Sequence, residues 1–240
     1  NKEDNFAIYV MHSRLTSEEI TDLESFVQKH GSVVHEVKIE DKYFEDAPIL
    51  LHYTKEMYYR LLAFRFLPRL DRILYLDPDI LVINSVREIY QLDISGYLYA
   101  AAFRNRNDLT AINKIRLRPY NIDYYYNSGI LLMNLILQRQ YIKEESIYDF
   151  VAKYNRKLIF PDQDIINALY AKLIKSLDET IYNYDVRKYR FYKHKTKGVC
   201  DMDYVINNTV FLHFCGKKKP WRNDYQGHFY SLYKHYERLT

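Results

Sequence analysis

Residues 6–39 constrain the fold of this 240-residue sequence more tightly than any other stretch. FAIYVMHS (6–13) reads as a strand. TSEEITDLESFVQKHG (16–31) then reads as a helix, with Thr16 and Glu19 at capping-box spacing and Gly31 as the stop. VVHEVKI (33–39) is a second strand. Strand, helix and strand in succession predict a βαβ unit and an α/β fold.

The alternation continues along the chain. MYYRLLAFRFL (57–67) predicts a helix ended by Pro68, and RILYL (72–76) a short buried strand. VREIYQL (86–92) predicts a short helix, and LYAAAF (98–103) and NSGILLMN (127–134) predict strands. EESIYDFVAKYN (144–155) is amphipathic through Ile147, Phe150, Val151 and Tyr154. DQDIINALYAKL (162–173) opens a further helix with acids at its positive end. TVFLHF (209–214) reads as a strand, and 224–239 as a closing helix. With no repeat, low-complexity segment or linker, residues 1–240 are expected to form one domain, a length that suits an α/β unit with a large core.

Composition narrows the function classes. With 28% charged and 48% hydrophobic residues the chain is neither disordered nor membrane-like. No apolar run approaches the ~18 residues of a spanning helix, and no secretory signal opens the sequence. Cys200 and Cys215 are too few for a disulfide scaffold and fit a reducing compartment. A net charge of +4 does not imply nucleic acid but suits anionic ligands.

The chemistry starts in ILYLDPDILV (73–82), an apolar run broken by two aspartates. Residues two apart in an extended segment project to the same side, and Pro78 keeps Asp77 out of helical geometry. Asp77 and Asp79 are therefore expected to present two carboxylates to one point beyond a strand, where ligands of open α/β sheets sit. A hard divalent cation would relieve their repulsion and stabilise a diphosphate leaving group. Two other readings fit the pair alone: a plain Asp-Pro turn, or the Asp-x-Asp nucleophile of haloacid-dehalogenase-type phosphatases.

Three further stretches bear on the choice. Asn127-Ser128-Gly129 stands at the mouth of a strand, where an asparagine amide can hydrogen-bond hydroxyls in both directions. Asp162, Gln163 and Asp164 open a helix, a place where Asp also serves as an ordinary cap. In LHFCGKKKPW (212–221), His213 can ligate a metal, Gly216 permits close backbone approach, and Lys217 to Lys219 offer charge to phosphate.

Taken in order, Tyr-x-Arg-Leu at 58–61, Leu-Asp-x-Asp at 76–79, Asn-Ser-Gly at 127–129, Asp-Gln-Asp at 162–164 and His-x-x-Gly-x-x-Lys-Pro-Trp at 213–221 resemble the retaining glycosyltransferases of family 8. This group includes bacterial lipopolysaccharide glucosyl- and galactosyltransferases and the eukaryotic glycogenins. The resemblance runs from about Phe6 to Trp221. It implies a GT-A fold, a Rossmann-like α/β/α arrangement of three layers around a mixed central sheet. It also implies a UDP-glucose or UDP-galactose donor, a glycan acceptor and Mn²⁺ held by Asp77, Asp79 and His213. One imidazole among oxygen ligands suits Mn²⁺ better than Mg²⁺.

Carried over residue by residue, Gly216 and Lys219 match diphosphate contacts, and Arg60, Asp77, Asn127, Ser128, Asp162 and Gln163 match positions that hold the donor sugar. Asp164 matches an acidic position close to the anomeric carbon, so Asp162, Gln163 and Asp164 form the expected catalytic group. Retention then follows either from double displacement, with Gln163 or Asp164 as nucleophile, or from front-face substitution. An amide is a poor nucleophile, which favours the front-face route.

Two features depart from the pattern. Family members open with a strand and an Asp-Asn-Tyr-like turn that grip the uridine, whereas FAIYVMHS lines up with their second strand and Asp4-Asn5 lies too close to it to be that turn. The first βα unit is accordingly expected to be missing, with an exposed sheet edge and half a nucleotide site. The stretch from Lys217 to Leu239 mixes basic and aromatic residues, which suits either contact with an anionic membrane or a docked terminal helix within 222–240. The expected location is the cytoplasm, with the inner face of the membrane as an alternative. A catalytically silent UDP-sugar-binding module is the competing function.

Overall fold

The computed structural model describes residues 4–45, 55–103, 113, 115–117, 120, 122–155 and 157–239. Strands β1 (Ala7–His12) and β2 (Val33–Lys38) pair in parallel, from Ala7 against Val33 to His12 against Lys38. Helix α1 (Ser17–Lys29) supplies the crossover that a parallel pair requires. Both halves of its capping box are present: the Glu19 amide donates to Thr16 Oγ1, and the Thr16 amide donates to the Glu19 carboxylate.

Residues 57–67 form two short helices, α2 (Met57–Leu61) and α3 (Ala63–Phe66), rather than one, with the break at Leu62. Nearly every residue from Met57 to Phe64 except Arg60 is buried, so packing on all sides shapes this segment instead of a single apolar stripe. Strands β3 (Arg72–Leu76) and β4 (Ile80–Val82) flank the Asp-Pro-Asp turn. After helix α4 (Arg87–Gln91) come β5 (Tyr99–Ala102) and β6 (Ile130–Asn134). Helices α5 (Leu135–Tyr141), α6 (Glu144–Tyr154) and α7 (Pro161–Tyr170) lead to β7 (Ile174–Leu177). Helix α7 stops short of the expected 173 and continues as a 3₁₀ turn over Ala171–Leu173.

Strand β8 (Tyr184–Asp185) precedes helices α8 (Tyr189–Lys195) and α9 (Met202–Asn208), which lead to β9 (Phe211–His213). The closing helix, α10 (Tyr230–Glu237), is half the length expected, because Asn223, Asp224 and Gly227 favour turns over the stretch before it. It docks: Leu232 and Tyr233 pack on a cluster that includes Tyr184, Phe214 and Phe229. Among the described residues no helix is long and apolar enough to cross a membrane.

The sheet is mixed and lies in three pieces. A four-stranded sheet runs β3-β6-β5-β7, antiparallel except for β5 with β7. A three-stranded sheet runs β4-β9-β8, and the β1-β2 pair stands apart. Strands β5 and β6 are almost fully enclosed, with the largest core cluster, around Tyr99, Leu131 and Met133, packing helices α2, α6 and α7 against them.

Strand β3 differs from expectation in being half-buried at all five positions. It ends the four-stranded sheet, as β1 ends its pair. A cavity of about 1910 Å³ is lined by every residue of Asp4–Met11 and every residue of Arg72–Asp79. Consecutive strand residues point to opposite faces, so a void touching all of them lies against strand edges. The edges of β1 and β3 border this one space, which opens at its other end onto the functional residues.

Candidate active site

The Asp-Pro-Asp turn is placed by two sheet contacts and by the bond that closes it. The Asp77 amide donates to the Gly129 carbonyl at 2.8 Å, and the Ile80 amide to the Asp77 carbonyl at 3.2 Å. Antiparallel pairing of β4 with β9 sets Ile80 opposite His213. His213 Nε2 thereby reaches Asp79 Oδ1 at 3.3 Å. Ligand atoms from Asp77, Asp79 and His213 all lie within 4.8 Å of one another.

Neighbouring side chains fix each of these groups. Asn183 Oδ1 lies 2.8 Å from His213 Nδ1, which turns Nε2 toward the aspartates. Asp77 Oδ1 accepts from Arg60 Nη2 at 2.7 Å and from the Tyr75 hydroxyl at 2.8 Å. A Cβ on Gly129 would fall 2.6 Å from the His213 ring and 2.8 Å from Asp77 Oδ2, so only glycine leaves room for both. Burial works against ionised Asp79, yet hydrogen bonds from His213 and Lys219 hold its pKa down to about 2. Burial likewise disfavours the His213 cation, but its bonds to Asp79 and Cys215 prevail and raise its pKa to about 9.

Arg60 ties the motifs together. Its Nη1 lies 2.9 Å from Asp162 Oδ2 and 3.2 Å from the Ser128 carbonyl, while Nη2 holds Asp77. Its guanidinium also stacks 4.8 Å above the Tyr75 ring. Ser128 Oγ donates to Asp162 at 2.7 Å. The Asn127 amide donates to Gln163 Oε1 at 3.1 Å and accepts from the Gly129 amide at 2.9 Å. Asn127, Ser128, Asp162 and Gln163 all line the cavity that Asp77, Asp79 and His213 border.

Two expected site residues sit elsewhere. Asp164 is fully enclosed and does not line the cavity. Arg116 grips it at 2.6 and 2.5 Å, the Tyr125 hydroxyl donates at 2.5 Å, and the amides of Ile159 and Phe160 donate at 2.9 and 3.1 Å. Placed so, it anchors the start of α7 and does not face the cavity. Lys219 is bonded to Asp79 and donates to the Phe214 carbonyl at 2.9 Å, and it does not line the cavity either. Lys217 and Lys218 are exposed. Gly216, at φ 91°, does line the cavity.

The sequence motifs left several contributors unmarked. Asn167 staples α7 to the Asn-Ser-Gly approach: its side chain donates to the Tyr126 and Gln163 carbonyls, both at 2.8 Å, and accepts from the Tyr126 amide at 2.6 Å. Its place in PDQDIIN, one turn after Gln163, is the only signal it offers. Tyr75 and Asn183 hold Asp77 and His213 from outside the motifs. Ile159 and Phe160, each more than half exposed, give the cavity an apolar rim beside Gln163.

Comparisons with known proteins bear on the family and the fold. The family model described as "Glycosyl transferase family 8" matches residues 1–225. A lipopolysaccharide 1,2-glucosyltransferase of Escherichia coli is 28% identical over 93% of this chain and 66% of its own length. General stress protein A of Bacillus subtilis is 26% identical over the whole of this chain and 85% of its own length. The chain thus spans just under two thirds of the E. coli relative. Among solved structures, the galactosyltransferase LgtC in complex with donor and acceptor sugar analogues superposes with a TM-score of 0.77 at 18% identity, covering 97% of this chain and 94% of that one. At that identity the likeness concerns the fold, which is the GT-A fold.

Proposed function

The chain belongs to glycosyl transferase family 8, and on that premise we propose that it is a retaining hexosyltransferase. It would move glucose or galactose from a UDP-sugar to a hydroxyl of a surface-glycan acceptor, with Mn²⁺ as cofactor, in the cytoplasm. The observation that carries this reading is the convergence of Asp77, Asp79 and His213 within 4.8 Å, on one cavity with Arg60-bound Asp162 and with Gln163. Membership of the family removes the phosphatase reading of Asp77.

The donor set fits the metal. Two carboxylates and one imidazole are the mixed oxygen and nitrogen ligands that suit Mn²⁺, and Gly129 keeps the space between them open. Bound there, the ion would neutralise the diphosphate as it leaves.

The other groups act through position. Arg60 sets Asp77 and Asp162 on the same cation, so the metal side and the sugar side of the cleft are held in register. Ser128 and Asn127 fix Asp162 and Gln163. Lys219 reaches a phosphate only by releasing Asp79, an exchange that metal binding to the same carboxylate favours. Front-face substitution is supported by the enclosure of Asp164. Asp162 is bonded to Arg60 and Ser128, and Gln163 is an amide, so a strong nucleophile is lacking among the three. In that route the leaving phosphate accepts the proton of the attacking hydroxyl while the new glycosidic bond forms on the same face.

The test is Mn²⁺-dependent release of UDP from UDP-glucose and UDP-galactose. Asp79→Asn should lower it by about a hundredfold or more while leaving the fold intact, as circular dichroism would show. Release by the variant at the wild-type rate would refute the metal assignment, and UDP binding without release in the wild type would identify a silent binding module.

A further inference from the structure

Arg187 lies outside every motif considered so far, yet it borders the same cavity as Asp77, His213 and Gly216. It follows β8, whose Asp185 pairs in register with His213. The Asp185 side chain is only 4% exposed, whereas that of Arg187 is 50% exposed. Asp185 accepts from Arg187 Nε at 2.9 Å and from Nη2 at 2.8 Å, a two-pronged grip on one edge of the guanidinium. The opposite group, Nη1, rests over Gly216: a Cβ there would lie 2.7 Å from it. Gly216 therefore does two things, adopting a left-handed backbone and leaving room for the arginine.

This arrangement is unlike an arginine whose only purpose is a surface ion pair. A long side chain is costly to order at the surface, and here a buried carboxylate orders it while turning its remaining N–H groups toward the cavity. Lys188 Nζ, 3.9 Å from the same Asp185, leaves the three groups with one net positive charge. A rigid guanidinium with a free edge matches phosphate oxygens better than an ammonium does.

The geometry points to Arg187 as a second cationic binding group of the cleft, positioned by Asp185 and recognising a phosphate-class anion across Gly216. The anion is either the leaving diphosphate of the donor or a phosphate carried by the acceptor. In both cases the assignment rests on the nucleotide-sugar reading of the cleft.

Binding to the full chain with Mn²⁺ distinguishes these, using inorganic pyrophosphate, UDP and, for the UDP-loaded protein, glucose 6-phosphate as probes. If Arg187 holds the diphosphate, Arg187→Ala weakens pyrophosphate and UDP by about ten- to hundredfold and spares glucose 6-phosphate. If it holds an acceptor phosphate, the same variant loses glucose 6-phosphate and spares pyrophosphate. Arg187→Lys, which keeps the charge but not the two-pronged grip, should fall between. Arg187→Gln serves where the alanine variant does not fold. Wild-type affinity for all three probes in a folded variant overturns the inference. Binding of pyrophosphate through Arg187 without binding of UDP would remove the nucleotide reading and leave the anion site standing. A wild-type chain that binds none of the probes overturns both.

Discussion

At the scale of single residues, His213 sets how the cleft responds to pH. With its pKa raised to about 9, the imidazole is protonated at neutral pH in the metal-free protein. Because this value lies above the ordinary one, the ion pair with Asp79 stabilises the fold fully below about pH 6.5, and the contribution fades as pH rises through 9. A metal needs the neutral ring, so it competes with that proton. Mn²⁺ affinity at saturating UDP should rise about tenfold per pH unit between pH 6 and 8. Calorimetry in buffers of different ionisation enthalpy should count about one proton released per ion. A flat profile would mean that His213 is not a ligand. Gly129 offers an independent check. A methyl group there meets the His213 ring and Asp77 Oδ2, and displacing either disturbs its bonds to Asn183, Arg60 and Tyr75. Gly129→Ala should weaken Mn²⁺ by about ten- to hundredfold with little change in melting temperature. Unchanged affinity would show that the ring and carboxylate can separate freely.

At the scale of elements, the start of helix α7 shows which parts of the site were legible in the sequence. Asp-Gln-Asp was visible as a motif, but successive helical residues point about 100° apart. Three in a row cannot share a face: Asp162 and Gln163 border the cavity and Asp164 turns into the protein. Arg116, its partner, lies 48 residues earlier and carries no local signal. Asp164→Asn should therefore act on stability, removing about 3–5 kcal/mol by leaving Arg116 unpaired, as urea unfolding would register. Unimpaired stability with lost turnover would instead return Asp164 to the chemistry. The Asp77–Asp79 pair was legible because two carboxylates on one side of a rigid turn have a chemical meaning of their own. Strand β8, by contrast, has two residues and no periodicity to detect, although it sets Asn183 against His213 and brings Arg187 to the cleft. The break between α2 and α3 was likewise hidden, since an all-round apolar sequence does not say where packing will bend it.

At the scale of the whole molecule, the sheet is divided where the cavity borders β1 and β3. Strands β1 and β3 are each paired on one side only among the described residues. Strand β6 is paired on both sides and enclosed. Backbone amides in β6 open with the global unfolding of the domain, whereas those on an unpaired edge meet solvent without it. Hydrogen exchange should therefore be roughly a hundredfold or more slower across Ile130–Asn134 than at the outward amides of Ala7–His12 and Arg72–Leu76. The same cavity runs from this apolar gap, past Tyr75, to the charged groups at Asp77, Asp79 and Arg187. Saturating UDP with Mn²⁺ should slow exchange at Gly129 and at the Asp77 end of β3 together, since both border the candidate site. Unchanged exchange at both would show that the nucleotide does not occupy the cleft.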